Sequence, residues 1–184
     1  RALVASAIDS SQIGLTWNAV SGTINHYTIY RGTDSTALSS IGTTGSTSYT
    51  ATGLSSTTRY FFRVSASNEA SQEGQSSFAS TTVTLASRVR NVVATTIDTT
   101  KIGLTWNDVS GLRSHFRIYR GTDSNSVAFI DTTSATSYTN AGLATATKYF
   151  YRVSAVNTIS GEGVKSYADS ALTLPSKVRN LASS

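Results

Sequence analysis

Apolar and polar residues alternate with a period of two along most of this chain. Ile13, Leu15 and Trp17 alternate with Gly14 and Thr16, and Tyr27 and Ile29 with Thr28 and Tyr30. Tyr60, Phe62, Val64 and Ala66 alternate with Phe61, Arg63 and Ser65. Successive side chains of a strand point to opposite faces, so the pattern predicts half-buried strands. The runs are rich in β-branched and aromatic residues, which fit a pleated surface. Turn-forming clusters separate them at Ser21-Gly22, Gly32–Ser35, Gly45-Ser46 and Gly53. No segment carries an amphipathic helical period. Several short strands at this spacing predict an all-β sandwich of two sheets.

The pattern occurs twice. Trp17 and Trp106 both end GLTW, an offset of 106 − 17 = 89, and the two halves align at that offset without a gap. Ile29–Ser35 recurs at Ile118–Ser124, and Arg63–Ala66 at Arg152–Ala155. A fixed period marks a repeat array. The expected organisation is repeat 1 over 1–87 and repeat 2 over 88–176. Residues 177–184 would be a linker or the start of a third repeat, since RNLASS at Arg179 echoes RNVVAT at Arg90. The expectation is a piece of a longer array, so the lack of a leader at Arg1 is silent on secretion. The joint between Leu85 and Val92 holds neither Gly nor Pro, which predicts a semi-extended, fairly stiff connection.

Composition narrows the function. The chain has no cysteine, which excludes disulfides, thiolate zinc sites and a cysteine nucleophile. Charged residues make up 14%, and Ser and Thr are abundant, so the surface is polar through hydroxyls, a hint of a secreted or cell-surface chain. The net charge is +5, yet the fifteen basic residues are scattered, so nucleic-acid binding is not expected, and with no long apolar run membrane insertion is not expected either.

Several motifs in order carry a family resemblance. Leu54–Tyr60 and Leu143–Tyr149 resemble an L-x-P-x-T-x-Y stretch, with Ser56 and Thr145 in place of the proline. YFFRVSASN and YFYRVSAVN follow, and then a loop holding Glu and Gly, Asn68–Gly74 or Asn157–Gly163. Each unit resembles a fibronectin type III domain. The resemblance implies two tandem immunoglobulin-like, seven-stranded β-sandwiches. It implies that Trp17 and Trp106 fill the cores and that Tyr60 and Tyr149 are tyrosine corners. With the alternation, it places Tyr30, Phe61 and Arg63 on the outer face of a three-stranded sheet. Tyr119, Phe150 and Arg152 match them in the second unit. This face is the candidate binding surface, offering stacking and cation–π contacts to a glycan or a neighbouring chain.

The other candidates read as structure. His26 and His115 each stand alone in their unit, without a second histidine or a cysteine, so no metal or general base is expected there. Ser, His and Asp are present, but nucleophilic catalysis needs them convergent in one cleft. Asp34 and Asp123 lie in GTDS turns, where Asp bonds nearby backbone. Glu73 and Glu162 lack an acidic partner nearby. Arg31-Gly-Thr-Asp34 and its copy at 120–123 depart from the Arg-Gly-Asp adhesion motif by a threonine and by position. No Asn-x-Ser/Thr sequon occurs. Neither cofactor nor metal is expected.

The sequence therefore predicts a non-catalytic extracellular spacer, scaffold or adhesion module. Its partners would be neighbouring repeats, other subunits or glycans. Two other roles fit the same residues: a subunit of a surface filament or phage-like tail, and an accessory module of a secreted polysaccharide-degrading enzyme.

Overall fold

The computed structural model describes residues 2–70 and 72–177, so the expected start of a third repeat lies, beyond Lys177, outside the described residues. Among the described residues every regular element is a strand. The chain divides into two compact units, the first built on Arg1–Ser87 and the second on Arg88–Val109 and Ser114–Ala155.

The first unit has β1 (Val4–Ala7), β2 (Ile13–Thr16), β3 (His26–Gly32), β4 (Ser39–Thr44), β5 (Ser48–Ala51), β6 (Arg59–Ser67) and β7 (Ser80–Val83). One sheet has the order β1-β2-β5 and the other β4-β3-β6-β7. All pairs are antiparallel. The sheet carrying the candidate face thus has four strands rather than the expected three. The extra strand is β4, whose hairpin with β3 runs from Tyr27↔Thr44 to Arg31↔Ser39.

The second unit has β8 (Val93–Thr96), β9 (Ile102–Thr105), β10 (His115–Gly121), β11 (Ala128–Thr133), β12 (Ser137–Asn140), β13 (Lys148–Asn157), β14 (Gly161–Glu162) and β15 (Asp169–Leu172). Its sheets are β12-β9-β8 and β11-β10-β13-β14, with β15 also on β13. The two-residue β14 pairs at Val156↔Glu162 and Asn157↔Gly161, so this unit has one strand more than the seven expected.

The inward halves of the alternating runs meet between the sheets. Ile13, Leu15, Ile29, Phe62 and Val64 are buried around Trp17. The Trp17 ring meets Tyr27 edge-on at 5.4 Å, and Trp106 meets Phe116 at 5.3 Å, geometries the ring quadrupoles favour. Among the described residues neither buried indole N–H has a partner, so the rings act here as apolar filling.

Two local features shape the outer face. A bulge lets Ile29 pair with Gly42 but Tyr30 with Ser40, skipping Ile41; the second unit repeats it at Ile118↔Asp131 and Tyr119↔Phe129. The bulge re-aims side chains, as bulges do, and sets Ser40 or Phe129 beside the tyrosine. The GTDS turn then folds back tightly. A Cβ on Gly32 would lie 2.3 Å from the Ala37 carbonyl oxygen, which leaves room for no side chain there.

Candidate functional site

In the first unit the outer face of β3 and β6 sets Tyr30 directly opposite Arg63. The loop after β6 brings Glu73 over this pair. It is pinned by a bridge between Ser67 and Glu73 and by the Gly74 N–H, which donates to the Ala66 carbonyl at 2.9 Å. The Tyr30 hydroxyl donates to Glu73 Oε1 at 2.5 Å, and the Ser65 hydroxyl donates to the same oxygen. Both bonds favour the charged acid, so the Glu73 carboxyl is held below its ordinary range, chiefly by Ser65 and then by Tyr30. The same bond to Glu73 raises the Tyr30 phenol, with burial adding to it.

In the turn after β3, the Asp34 carboxylate accepts the backbone N–H and the hydroxyl of Thr36, both at 2.8 Å. These bonds lower the Asp34 pKa and close the turn. Between turn and loop lies a cleft of about 370 Å³ lined by Tyr30, Ser35, Thr36, Arg63, Glu73 and Ser76, with Leu38 at its side. Arg63 is half-buried, and its side chain makes no hydrogen bond or ion pair among the described residues. The structure thus gathers Tyr30 and Arg63 with Glu73, a loop residue that the sequence did not join to them.

Phe61 is half-buried on the same strand, opposite Gly32 and Thr81, and does not line the cleft. Phe150 is half-buried in the second unit, with the Lys148 ammonium 5.1 Å from its ring centre. Tyr119 departs from expectation, since it is 5% exposed and not an open aromatic. Phe129 meets its ring edge-on at 6.0 Å, and Lys165 Nζ lies 4.0 Å from the ring centre. Arg152 donates Nη2–H to the Ser124 carbonyl at 3.1 Å.

The remaining residues hold the fold. The Tyr60 hydroxyl accepts the Ser55 N–H, and the Tyr149 hydroxyl accepts the Ala144 N–H. His26 lies near enough to Glu73 for its charge to favour the carboxylate, and His115 Nδ1 lies 3.1 Å from the Ser114 hydroxyl. Asp123 accepts the Asn125 N–H at 2.7 Å, closing its turn as Asp34 does. Among the described residues no three His, Cys, Asp or Glu converge as a metal site. Sequence reasoning passed over Tyr167, which is 78% exposed under the Arg88 guanidinium, 4.4 Å from its ring centre. A cavity of about 630 Å³ adjoins it, lined by Arg90, Val92 and Asp169 among others. The available signal was Phe78, at the equivalent place in the first repeat and 89% exposed.

Two antiparallel sheets closing on a tryptophan-centred core, twice in one chain, define a tandem β-sandwich protein whose clefts are shallow. The sequence profile of the fibronectin type III domain matches residues 1–83 and again 87–168. The chain belongs to the fibronectin type III family. It is 28% identical over 198 aligned positions to Exoglucanase B of Cellulomonas fimi, which covers 96% of this chain and 17% of that protein. A 66-residue stretch is 46% identical to an alpha-amylase of Niallia circulans, covering 35% of this chain and 5% of that protein. The chain thus spans a small part of the curated relatives it matches. Among solved structures, a two-domain fibronectin type III segment of chicken tenascin superposes with a TM-score of 0.53 at 16% identity. It covers 94% of this chain and 98% of that one, a likeness of fold.

Proposed function

We propose that the two repeats are a non-catalytic extracellular accessory module that spaces and positions a polysaccharide-degrading enzyme on its substrate. The observation that carries this reading is the alignment with Exoglucanase B. Nearly all of this chain matches a stretch making up 17% of a protein named for acting on glucan. The site chemistry agrees with it. Asp34 and Asp98 have their carboxylates engaged in closing turns, and Glu73 accepts two hydroxyls. Such groups are held ionised as acceptors, whereas acid catalysis needs a carboxyl with a raised pKa.

The test has two arms. The purified chain, incubated with soluble and insoluble glucan, is expected to release no sugar. The parent polypeptide lacking residues 1–176 is expected to keep its kcat on soluble oligosaccharide and to lose rate on insoluble polysaccharide. Hydrolysis by the isolated chain, or an unchanged rate on insoluble substrate after the deletion, would sink the reading.

A further inference from the structure

The two repeats provide an internal comparison at the cleft. Tyr30, Ser35, Glu73 and Arg63 correspond to Tyr119, Ser124, Glu162 and Arg152, but Ser40 corresponds to Phe129 and Ser76 to Lys165. In the second unit those two larger side chains cover the tyrosine, and Arg152 is tied to the Ser124 carbonyl. In the first unit the two serines leave the cleft open, and Arg63 has no such bond. Among the described residues the Nε atoms of both arginines are buried without a partner, so the contrast lies in the Nη groups. The fold therefore has a way to satisfy this guanidinium and uses it in one repeat. A half-buried cation without an acceptor is unfavourable, and a ligand acceptor would relieve it.

We propose that the cleft bounded by Tyr30, Arg63 and Glu73 binds a neutral sugar unit within a glucan chain. Arg63 offers donors on one side, and Glu73 offers acceptors on the other. Both of its bonds to protein end on Oε1, which leaves Oε2 for a ligand. An anion would meet Glu73 and a cation would meet Arg63, so either is opposed by a like charge. A sugar's adjacent hydroxyls each donate and accept, and satisfy both walls at once. The Ser35, Thr36 and Ser76 side chains add polar partners, and Leu38 gives an apolar contact for the ring's C–H edge. A cleft of about 370 Å³ falls in the range of small-ligand sites. It lies on a sheet face rather than in an enclosed cavity, so a chain can pass through with its neighbouring units in solvent. The site stands on this geometry; only the choice of glucan rests on the accessory-module reading.

The test is a titration of the ¹⁵N-labelled 184-residue chain with cellohexaose, and separately with maltohexaose, to about 10 mM, a range that covers weak single sites. One of the two is expected to move the amides of Thr36, Gly74 and Ser76 saturably. Arg63→Met and Glu73→Gln are each expected to weaken binding about tenfold, as loss of a charged hydrogen bond implies. Ser40→Phe with Ser76→Lys imports the second repeat's closed arrangement and is expected to abolish the shifts. No shift with either sugar, shifts confined to the second repeat, or shifts that survive both Arg63→Met and the closing pair would overturn the site. Sugar binding combined with an unaffected deletion of 1–176 would keep the site and remove the accessory-module reading. No binding combined with lost activity on insoluble glucan would do the reverse.

Discussion

The Tyr60 hydroxyl accepts a hydrogen bond from the Ser55 N–H at 3.0 Å, five residues upstream. The bond ties the start of β6 to the chain that crosses between the sheets. Tyr149 repeats it with Ala144 at 3.1 Å. Tyr60 is buried and Tyr149 half-buried, while Ser55 and Ala144 are both exposed. Water therefore reaches the Tyr149 hydroxyl, and can replace its bond, more readily than at Tyr60. Tyr60→Phe is expected to cost about 1–2 kcal/mol and Tyr149→Phe about 0.5–1 kcal/mol, read from denaturant melts. Absent losses would remove the corners' structural role, and equal losses would refute the difference in solvent access.

The same crossing is held by a buried hydroxyl that the strand alternation does not reveal. Thr84 donates to the Ser55 carbonyl at 2.6 Å and accepts the Thr58 N–H at 3.0 Å. Thr173 makes the matching pair with Ala144 and Thr147 at 2.7 and 2.9 Å. Thr84→Val keeps the shape and strands two backbone groups beside a fully buried position. The expected loss is about 1–3 kcal/mol, whereas Thr84→Ser is expected to retain most of the stability.

The second core contains a polar cluster that the first lacks. Asn140 Oδ1 accepts the Tyr151 hydroxyl at 3.0 Å and an Arg120 N–H at 3.1 Å. The equivalent residues in the first repeat are Ala51, Phe62 and Arg31, and there Ala51 and Phe62 form plain apolar packing. Asn140→Ala leaves the buried Tyr151 hydroxyl unpaired, at an expected cost of about 1–3 kcal/mol. Asn140→Ala combined with Tyr151→Phe reproduces the first repeat and is expected to recover most of that loss. A double-mutant cycle without coupling would refute the cluster.

Stability should also fall in alkali through Tyr151. Burial raises its phenol pKa well above the ordinary 10.0, with the Arg120 charge partly opposing. The folded state holds this proton more tightly than the unfolded chain. Its contribution is therefore complete below pH 10 and is lost as the pH rises above it. Urea midpoints measured from pH 8 to pH 11 are expected to decline in the wild type and more shallowly in Tyr151→Phe. Parallel curves would rule out Tyr151 as the cause.

How much of this was legible before the fold was known follows from the range of the forces involved. Alternation is a local property. Ile13, Leu15, Trp17, Phe62 and Val64 needed only their own strand's pleat to announce which side is buried, and the 89-residue offset announced the second copy. The tyrosine corners were marked by a short spacing, because donor and acceptor lie five residues apart. The outer face was not readable in this way. Tyr30 and Tyr119 share the local sequence IYRGTDS, yet one is half-buried beside an open cleft and the other is 5% exposed. What separates them is Ser40 against Phe129 on the neighbouring strand and Ser76 against Lys165 in a distant loop. The exposure of a strand's outer side chain is set by whatever later segments lay across it. The sequence by itself thus determined the sandwich, the repeat and the two cores. Only the tertiary structure decided which face stays open and which residues Glu73 joins there, because those contacts form between segments whose separation along the chain carries no periodic signal.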